Sequence, residues 1–410
     1  MSKPFSKQFD THYTISEFGL LGTDKSVVNI NKYESKQVTP EAYKEFEAFA
    51  KTDNGKDVLG FAGNGRCLQA KNYVGTIQTV GGYTLEILPK IYNDSNEDHS
   101  KQIFIKLLHL LYKLPSFKHI DKANFDLEKM DIFEIFISMF LIEVGQIIKK
   151  GIKSDYISSE ENLFYLKGKL LINDQIKHNI VHKERFHVRY DDYSVNRAEN
   201  KLLKTTLKYL SKLSKDFENL RLIRLYQEHM SLVNYSENID ADFRQVKKDR
   251  GMKHYQDALL WSKIFLKKES FSSFSGDTIA FAILYPMEKL FEGFVKWWLE
   301  SHYKSLEIQT QSSKKGFVRG LFGVRPDFVI KKDQKIITIA DAKWKIIEDD
   351  DSFSQSDFYQ LFGYSKMFNV NSLRLYYPMN EKFKNAKTFQ YFDSTKIKVI
   401  PLNLSLLLQN

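Results

Sequence analysis

The sequence predicts a mixed α/β chain, α+β overall, in three parts: a strand-rich N-terminal module (1–95), a mainly helical, basic middle region (96–270) and a C-terminal α/β domain (271–410). Three observations carry this reading. Short alternating segments divided by turn residues fill most of 11–92. From Lys101 the apolar residues recur at helical steps instead. Beyond the Ser- and Gly-rich stretch 270–276 the order becomes helix, strand, strand, helix, strand.

In the first part, His12–Leu21 alternates loosely, with Tyr13 and Ile15 on one side. Thr39-Pro40-Glu41 opens a helix running to about Lys51. Thr39 is placed to cap it, and Pro40 occupies the first helical position, where a missing N–H costs nothing. Cys67–Val74, Thr76–Val80 and Tyr83–Leu88 read as strands, with Gly81-Gly82 as a hairpin turn. The polar, acidic segment 92–100 is the clearest boundary. Ile103, Leu107, Leu108, Leu111 and Leu114 then mark a helix that Pro115 stops. Ile132–Lys150 is a second amphipathic helix, and 163–190 reads as strand, helix, strand. Asn200–Leu213, Asp216–Met230 and Tyr255–Phe265 are further helices. In the last part Pro286–Glu300 and Ser354–Phe368 are helices. Arg325–Ile330 and Ile336–Lys345 form a hairpin, and Leu373–Tyr377, Phe389–Tyr391 and Ile397–Leu402 are strands.

Composition narrows the class. With 410 residues, 42% hydrophobic and 27% charged, the chain is not disordered throughout. The single cysteine, Cys67, excludes an internal disulfide and a four-thiolate metal site, and reads as a small buried side chain. The first residues lack an apolar signal core, and the most apolar helical stretch, Ile132–Val144, is interrupted by Glu134 and Glu143. A cytoplasmic chain with no membrane partner is expected. The net charge of +10 is uneven: −2 over 1–100, +8 over 101–270 and +4 over 271–410. A basic body suits a polyanion, most simply nucleic acid, although a lysine-rich solvated surface would give the same count.

The C-terminal hairpin concentrates the chemistry. It carries Arg325-Pro326-Asp327 on one strand and Asp341-Ala342-Lys343 on the other. Alternation puts Asp341 and Lys343 on one face, with Ala342 and Trp344 on the other. A turn centred on Asp333 or Gln334 leaves Asp327 either diagonal to Asp341 or directly across from it. Apolar neighbours (Phe328, Val329, Ile330, Ile336, Ile337, Ile339, Ala340) predict a buried strand pair, where carboxylates are costly and tend to have a purpose. Two such carboxylates can ligate a hard divalent cation, and an adjacent lysine can act on an attacking water and balance developing charge. A surface hairpin pairing opposite charges would show the same tripeptide, so the flanking helices matter. Gln360 and Tyr364 lie one turn apart after the hairpin, and Glu288 and Glu292 share a face of the helix before it.

An acid on a first helix, Pro-Asp, Asp-x-Lys and Gln-x-x-x-Tyr together resemble the PD-(D/E)xK nuclease superfamily in its RecB-like form. Four further segments resemble the McrC family: Tyr83–Lys90, Arg197–Lys204, Leu284–Val295 and Val324–Ile330. That family is the nuclease subunit of McrBC-type (5-methylcytosine-specific or LlaJI-like) restriction systems, and the resemblance runs from about 15 to 405. It implies a restriction-endonuclease-like domain hydrolysing DNA with Mg2+. Asp327 and Asp341 would be metal ligands with the Ala342 carbonyl, and Lys343 would act on the water. Glu292 would be the first-helix acid, with Glu288 a surface charge, and Gln360 and Tyr364 would support the metal shell or the phosphate. It also implies a McrB-like AAA+ GTPase partner. The chain itself has no Gly-x-x-x-x-Gly-Lys-Ser/Thr, so it carries no P-loop. The acidic first hundred residues become a candidate docking module for that partner. A stand-alone RecB-like nuclease or resolvase, and an adaptor that mainly stimulates a AAA+ ring, remain the alternatives.

Lys314, Lys315, Arg319 and Arg325 are the DNA-contact candidates, being nearest the hairpin. The run Lys247–Arg250 could also grip phosphate or be plain exposed loop. His178 and His182 share a helical face, but no acid or cysteine joins them at ligand spacing. Trp297-Trp298 could stack on bases; with Leu290, Phe291 and Phe294 on the same helix, packing is the better explanation for at least one of them.

Overall fold

The structure is a computed structural model that describes residues 11–24, 35–91, 97–112, 130–246, 250–267, 279–311, 314–318 and 322–409. It divides into two compact units. One comprises Met1–Phe117, Asp126–Ile132 and Ser270–Asn410, the other Lys118–Phe125 and Phe133–Glu269. This cut differs from the expected three parts, because the first ninety residues and the C-terminal region share one unit. The strands run in chain order as β1 (His12–Ser16), β2 (Leu20–Gly22), β3 (Ser35–Gln37), β4 (Leu59–Ala62), β5 (Cys67–Ala70), β6 (Tyr73–Thr79), β7 (Thr84–Leu88), β8 (Asp155–Leu163), β9 (Lys169–Leu170) and β10 (Phe186–Ser194). They continue as β11 (Ile279–Pro286), β12 (Glu307–Thr310), β13 (Lys314–Val318), β14 (Phe322–Val324), β15 (Phe328–Lys332), β16 (Lys335–Ala342), β17 (Ser372–Pro378), β18 (Lys387–Gln390) and β19 (Lys396–Leu402).

The join between the two ends of the chain is a strand pair. β11 lies antiparallel on β6 in a sheet ordered β1-β7-β6-β11, so a segment near residue 280 completes a sheet begun near residue 12. Its contact is close at Gly75, which has φ +136°; a Cβ there would sit 2.0 Å from the Ile283 carbonyl oxygen. Only glycine suits such a position. Beside it, β3-β2-β5-β4 and the helix Pro40–Ala50 enclose a core of Tyr13, Phe46, Phe49, Leu68, Ile77 and Leu85. Thr39 caps that helix as expected, its side chain accepting from Ala42 N at 3.3 Å. Cys67 is buried.

The six-stranded mixed sheet β12-β15-β16-β17-β19-β18 carries the hairpin. The chain passes from β16 through the helix Gln355–Phe368 to the parallel β17, and β17 to β19 is parallel again. Alternation sorts the two faces. Val329, Ile339, Leu375 and Tyr377 pack with Leu361 and Tyr364 of that helix. On the other face Trp344 meets Phe291, and Tyr376 meets Trp298, both from the helix Met287–His302. Trp297 stacks on Phe294, so both tryptophans of the pair are packed against rings.

In the second unit, the helix Ile132–Lys150 packs Phe136 on Trp261 and Phe140 on Phe265 of the helix Gln256–Lys267. Glu134 interrupts the apolar run but is buried with its acceptors filled by Ser214, Asn219 and the Lys215 amide. β8 and β10 form a nine-pair antiparallel ladder with the short β9 alongside, and the helix Ile172–Asn179 between β9 and β10. This sub-region exposes Tyr156, Phe164, Tyr165, Leu166, Ile172, Ile176, Ile180, Val181 and Tyr193. Among the described residues no helix is long and apolar enough to cross a membrane.

Candidate active site

The two residues of the β15–β16 turn, Asp333 (φ 49°) and Gln334 (φ 63°), are both left-handed, and Lys332 pairs with Lys335. That tight turn suits the twist of a hairpin. Regular pairing from there would set Asp327 opposite Ala340. Instead Lys331 pairs with Ile336 and Ile330 with Thr338, leaving Ile337 as a bulge. Beyond it Phe328 faces Ala340, so the next step along the ladder sets Asp327 directly across from Asp341.

The two carboxylates reach across to each other's strand. Asp341 Oδ1 accepts from Asp327 N at 3.4 Å, and Asp327 Oδ2 accepts from Ala342 N at 2.9 Å. On the opposite side the Gln311 amide donates to Asp327 O at 2.9 Å. Lys343 Nζ lies 2.7 Å from Asp341 Oδ2 and donates to Gln360 Oε1 at 3.2 Å. Gln360 Nε2 donates to Tyr364 Oη at 2.7 Å, and Tyr364 Oη reaches the Arg325 carbonyl at 3.5 Å. Asp327, Asp341, Lys343, Gln360 and Tyr364 therefore form one connected network.

Electrostatics there are strained in one direction. Burial pushes the Asp327 carboxyl up to about 7, with the Asp341 and Glu292 charges pushing the same way against the Ala342 amide. Burial works against the charge on Lys343, but Asp341, with Asp357 and Asp327, holds its pKa above the ordinary lysine value. Asp341 is 2% exposed, and its Oδ2 has the lysine charge beside it but no well-aligned hydrogen-bond donor. Carboxylates that oppose one another's ionisation, one with an oxygen short of a donor, are the donor set a hard divalent cation takes. Glu292 is near enough to act on Asp327 and is itself held by Lys289 Nζ at 2.8 and 2.9 Å. Glu288, expected to be a plain surface charge, instead accepts from Asn72 Nδ2 at 2.9 Å.

Arg325 is exposed and donates to the Gln311 side chain. Lys314 and Lys315 lie on β13, paired with β14. Arg319 and 247–249 lie outside the described residues. His178 stacks on His187 with ring centroids 5.4 Å apart, while His182 meets Glu184.

Two buried acids near the site escaped the sequence reading. Asp357 accepts from Lys345 Nζ at 2.9 Å and from Tyr377 Oη at 3.3 Å. Glu17 is wholly buried, accepting from Trp344 Nε1 at 3.0 Å and Lys90 N at 3.1 Å. Both pairings join residues distant in sequence, and no local motif marks them. Glu17 and Trp344 also line a cavity of about 290 Å³ with Phe18, Asn72, Lys90 and Pro378.

One further cluster has metal-ligand residue types: His12, Glu86 and Asp131. His12 Nε2 lies 3.6 Å from Glu86 and Nδ1 lies 3.4 Å from Asp131, while Lys101 Nζ is 3.5 Å from Glu86. Burial opposes the charge on His12, but the hydrogen bonds and charges of Asp131 and Glu86 outweigh it and raise its pKa to about 9. Two cations already balance two anions there, so the cluster reads first as a half-buried ion network around Glu86.

The model of the McrBC 5-methylcytosine restriction system component family matches residues 68–378. The chain belongs to that family. The McrC resemblance of the sequence is thereby borne out. The McrBC fold also extends over nearly the whole chain. A chain of the Thermococcus gammatolerans assembly of McrB AAA+ hexamers with bound McrC, a half-complex of a tetradecamer, is similar at 18% identity and TM-score 0.65. The match covers 96% of this chain and 94% of that one. A chain of the McrBC complex from the same organism is similar at 17% identity, covering 70% of this chain and 87% of that chain, with TM-score 0.48. No curated protein matches.

Proposed function

We propose that this McrBC-family chain is the Mg2+-dependent endonuclease subunit of a GTP-dependent restriction system, hydrolysing DNA phosphodiester bonds when assembled with a McrB-like AAA+ GTPase. The observation that carries the reading is the Asp327–Asp341–Lys343–Gln360–Tyr364 network, buried at Asp341 and Tyr364 and open to solvent at Gln360. Asp327 and Asp341, with the Ala342 carbonyl, would hold Mg2+, and Glu292 adds a third carboxylate close by. When bound, the ion supplies Lewis-acid polarisation and a water of lowered pKa. Lys343, gripped by Asp341 and Gln360, orients the attacking water and offsets charge on the phosphate. Tyr364 fixes Gln360 and so the lysine. Lys314, Lys315, Arg319 and Arg325 are assigned to the DNA backbone, where cations of a basic chain act by counterion release.

The 410 residues carry no P-loop sequence, so in this reading the GTP is bound by the AAA+ partner. The similar Thermococcus gammatolerans assembly, McrB AAA+ hexamers with bound McrC, supports such a partner. For its docking surface we favour the exposed apolar side chains of the second unit over the acidic first hundred residues. Large apolar side chains exposed in this number within one sub-region favour an interaction surface there. The N-terminal strands instead have a packing duty in the sheet they share with β11.

The test is cleavage of methylated and unmethylated DNA by the full chain with Mg2+, with and without GTP and the AAA+ partner. Loss of cleavage in Asp341→Ala by at least about 10³-fold is expected. Undiminished cleavage by that variant refutes the site. Cleavage of plain DNA without partner or GTP refutes the partner requirement.

A further inference from the structure

The Glu17–Trp344 contact lies outside the catalytic network yet touches both of the elements that carry it. Trp344 follows Lys343 in sequence, and its indole packs on Phe291 with ring centroids 5.4 Å apart. Phe291 precedes Glu292 on the helix Met287–His302. One indole therefore bridges the end of the strand bearing Asp341 and Lys343 and the helix bearing the third carboxylate. Its orientation is set from a third place. Trp344 Nε1 donates to Glu17 Oε1 at 3.0 Å, and Glu17 Oε2 is held by Lys90 N at 3.1 Å. The Glu17 backbone is anchored as well, its amide donating to Leu88 O at 2.9 Å.

We infer that Glu17, acting through Trp344, is a positioning residue for Lys343 and Glu292. The inference rests on the nuclease reading above for what those two residues do. Its physical basis is elementary. Backbone past Ala342 leaves the regular ladder, with Lys343 N still bonded to Tyr376 O at 2.9 Å. From there the strand end depends on side-chain contacts to keep its direction. A buried, hydrogen-bonded ring supplies that restraint at a cost in desolvation. Burial pushes the Glu17 carboxyl up to about 8, against the hydrogen bonds from Lys90 and Trp344. A leucine would pack there without that cost, so what the acid adds is the pair of hydrogen bonds it accepts.

The experiment compares Trp344→Phe, Glu17→Gln and Glu17→Leu with wild type in the full chain and its partner complex. The readouts are kcat, KM for DNA, Mn2+ affinity by titration, and Tm. Trp344→Phe keeps an aromatic ring at Phe291 but removes the N–H together with part of the indole, so Glu17→Leu, which leaves the indole whole, is the cleaner loss of the hydrogen bond. Trp344→Phe is expected to lower kcat about tenfold, the value of one positioning hydrogen bond, with KM within about twofold. Mn2+ affinity should weaken about threefold, because Glu292 and the strand end move apart. Glu17→Gln, which keeps an oxygen for the indole, should stay within about threefold of wild type, while Glu17→Leu should match Trp344→Phe. Unchanged kcat and Mn2+ affinity in both Trp344→Phe and Glu17→Leu overturn the inference. So does a loss in Glu17→Gln equal to that in Glu17→Leu, which would tie the effect to the carboxylate charge or to its acceptor for Lys90 N and not to the indole hydrogen bond. If wild type shows no Asp341-dependent cleavage, the nuclease reading fails, and the Mn2+ titration still decides whether Glu17 and Trp344 position the acids.

Discussion

Asp327 sits directly across the hairpin from Asp341, and the bulge at Ile337 puts it there. Each aspartate bonds to the other strand's backbone, at 3.4 Å to the Asp327 amide and 2.9 Å from the Ala342 amide. Both carboxylates consequently face the lysine from one patch. Their mutual repulsion, together with burial, lifts Asp327 to about 7. Sites that concentrate like charge in this way trade stability for chemistry.

The Lys343–Gln360–Tyr364 relay makes a graded prediction. Tyr364→Phe removes the hydroxyl that receives Gln360 Nε2 at 2.7 Å and leaves Lys343 one step further from control. A loss of about 3–10-fold in kcat is expected, against about 10³-fold for Lys343→Ala. Single-turnover cleavage measures both. Equal losses in the two variants would show that the tyrosine acts on the phosphate itself and not through the lysine.

Gly75 tests the union of the two chain ends. Gly75→Ala would put a Cβ 2.0 Å from the Ile283 carbonyl oxygen at φ +136°. Destabilisation of more than about 3 kcal/mol is expected, combining a clash with backbone and a conformation L residues avoid. Denaturant unfolding of the full chain checks it. A loss under about 1 kcal/mol would mean that β6 and β11 can separate without consequence.

The ion network at His12 predicts a pH dependence of stability. Its folded pKa is raised from 6.5 to about 9, so its contribution is fully present below 6.5 and is lost as pH rises through 9. With a third of the side chain exposed, the loss is on the order of 1–2 kcal/mol after screening. His12→Gln should flatten that part of the stability curve between pH 6.5 and 9, read from urea midpoints. A parallel decline in the variant would assign the slope to another group.

The exposed isoleucines of the second unit predict a separable docking defect. Ile176 and Ile180 are 60% and 69% exposed, so Ile176→Asp with Ile180→Asp should leave Tm within about 2 °C. Association with the AAA+ partner should weaken at least tenfold, the loss of about 1.4 kcal/mol of buried apolar contact. Co-sedimentation measures it, and undiminished association would place docking elsewhere.

Much of the local structure was legible. The helix Ile132–Lys150 has the bounds its periodicity predicts, and the caps and turns at Thr39 and Gly82 follow from residue chemistry alone. Strand alternation likewise separated Lys343 from Trp344. The register of Asp327 was not legible, because a two-residue turn allows either pairing until a bulge absorbs the extra residue. Glu17 and Asp357 were hidden for a related reason. A lone acid in the turn after a strand or in a helix's first turn has no local partner to betray it.

By itself, then, the sequence determined the periodicities, the turns, the acid and lysine positions of the hairpin and its likeness to McrC. Those depend on contacts within a few residues, or on motif order. Tertiary structure alone decided that β11 completes the sheet of β1, β7 and β6, that Asp327 opposes Asp341, and that Glu17 grips Trp344 from 327 positions away. Such pairings are selected by burial and hydrogen-bond satisfaction over the whole chain, terms that no short window of residues contains.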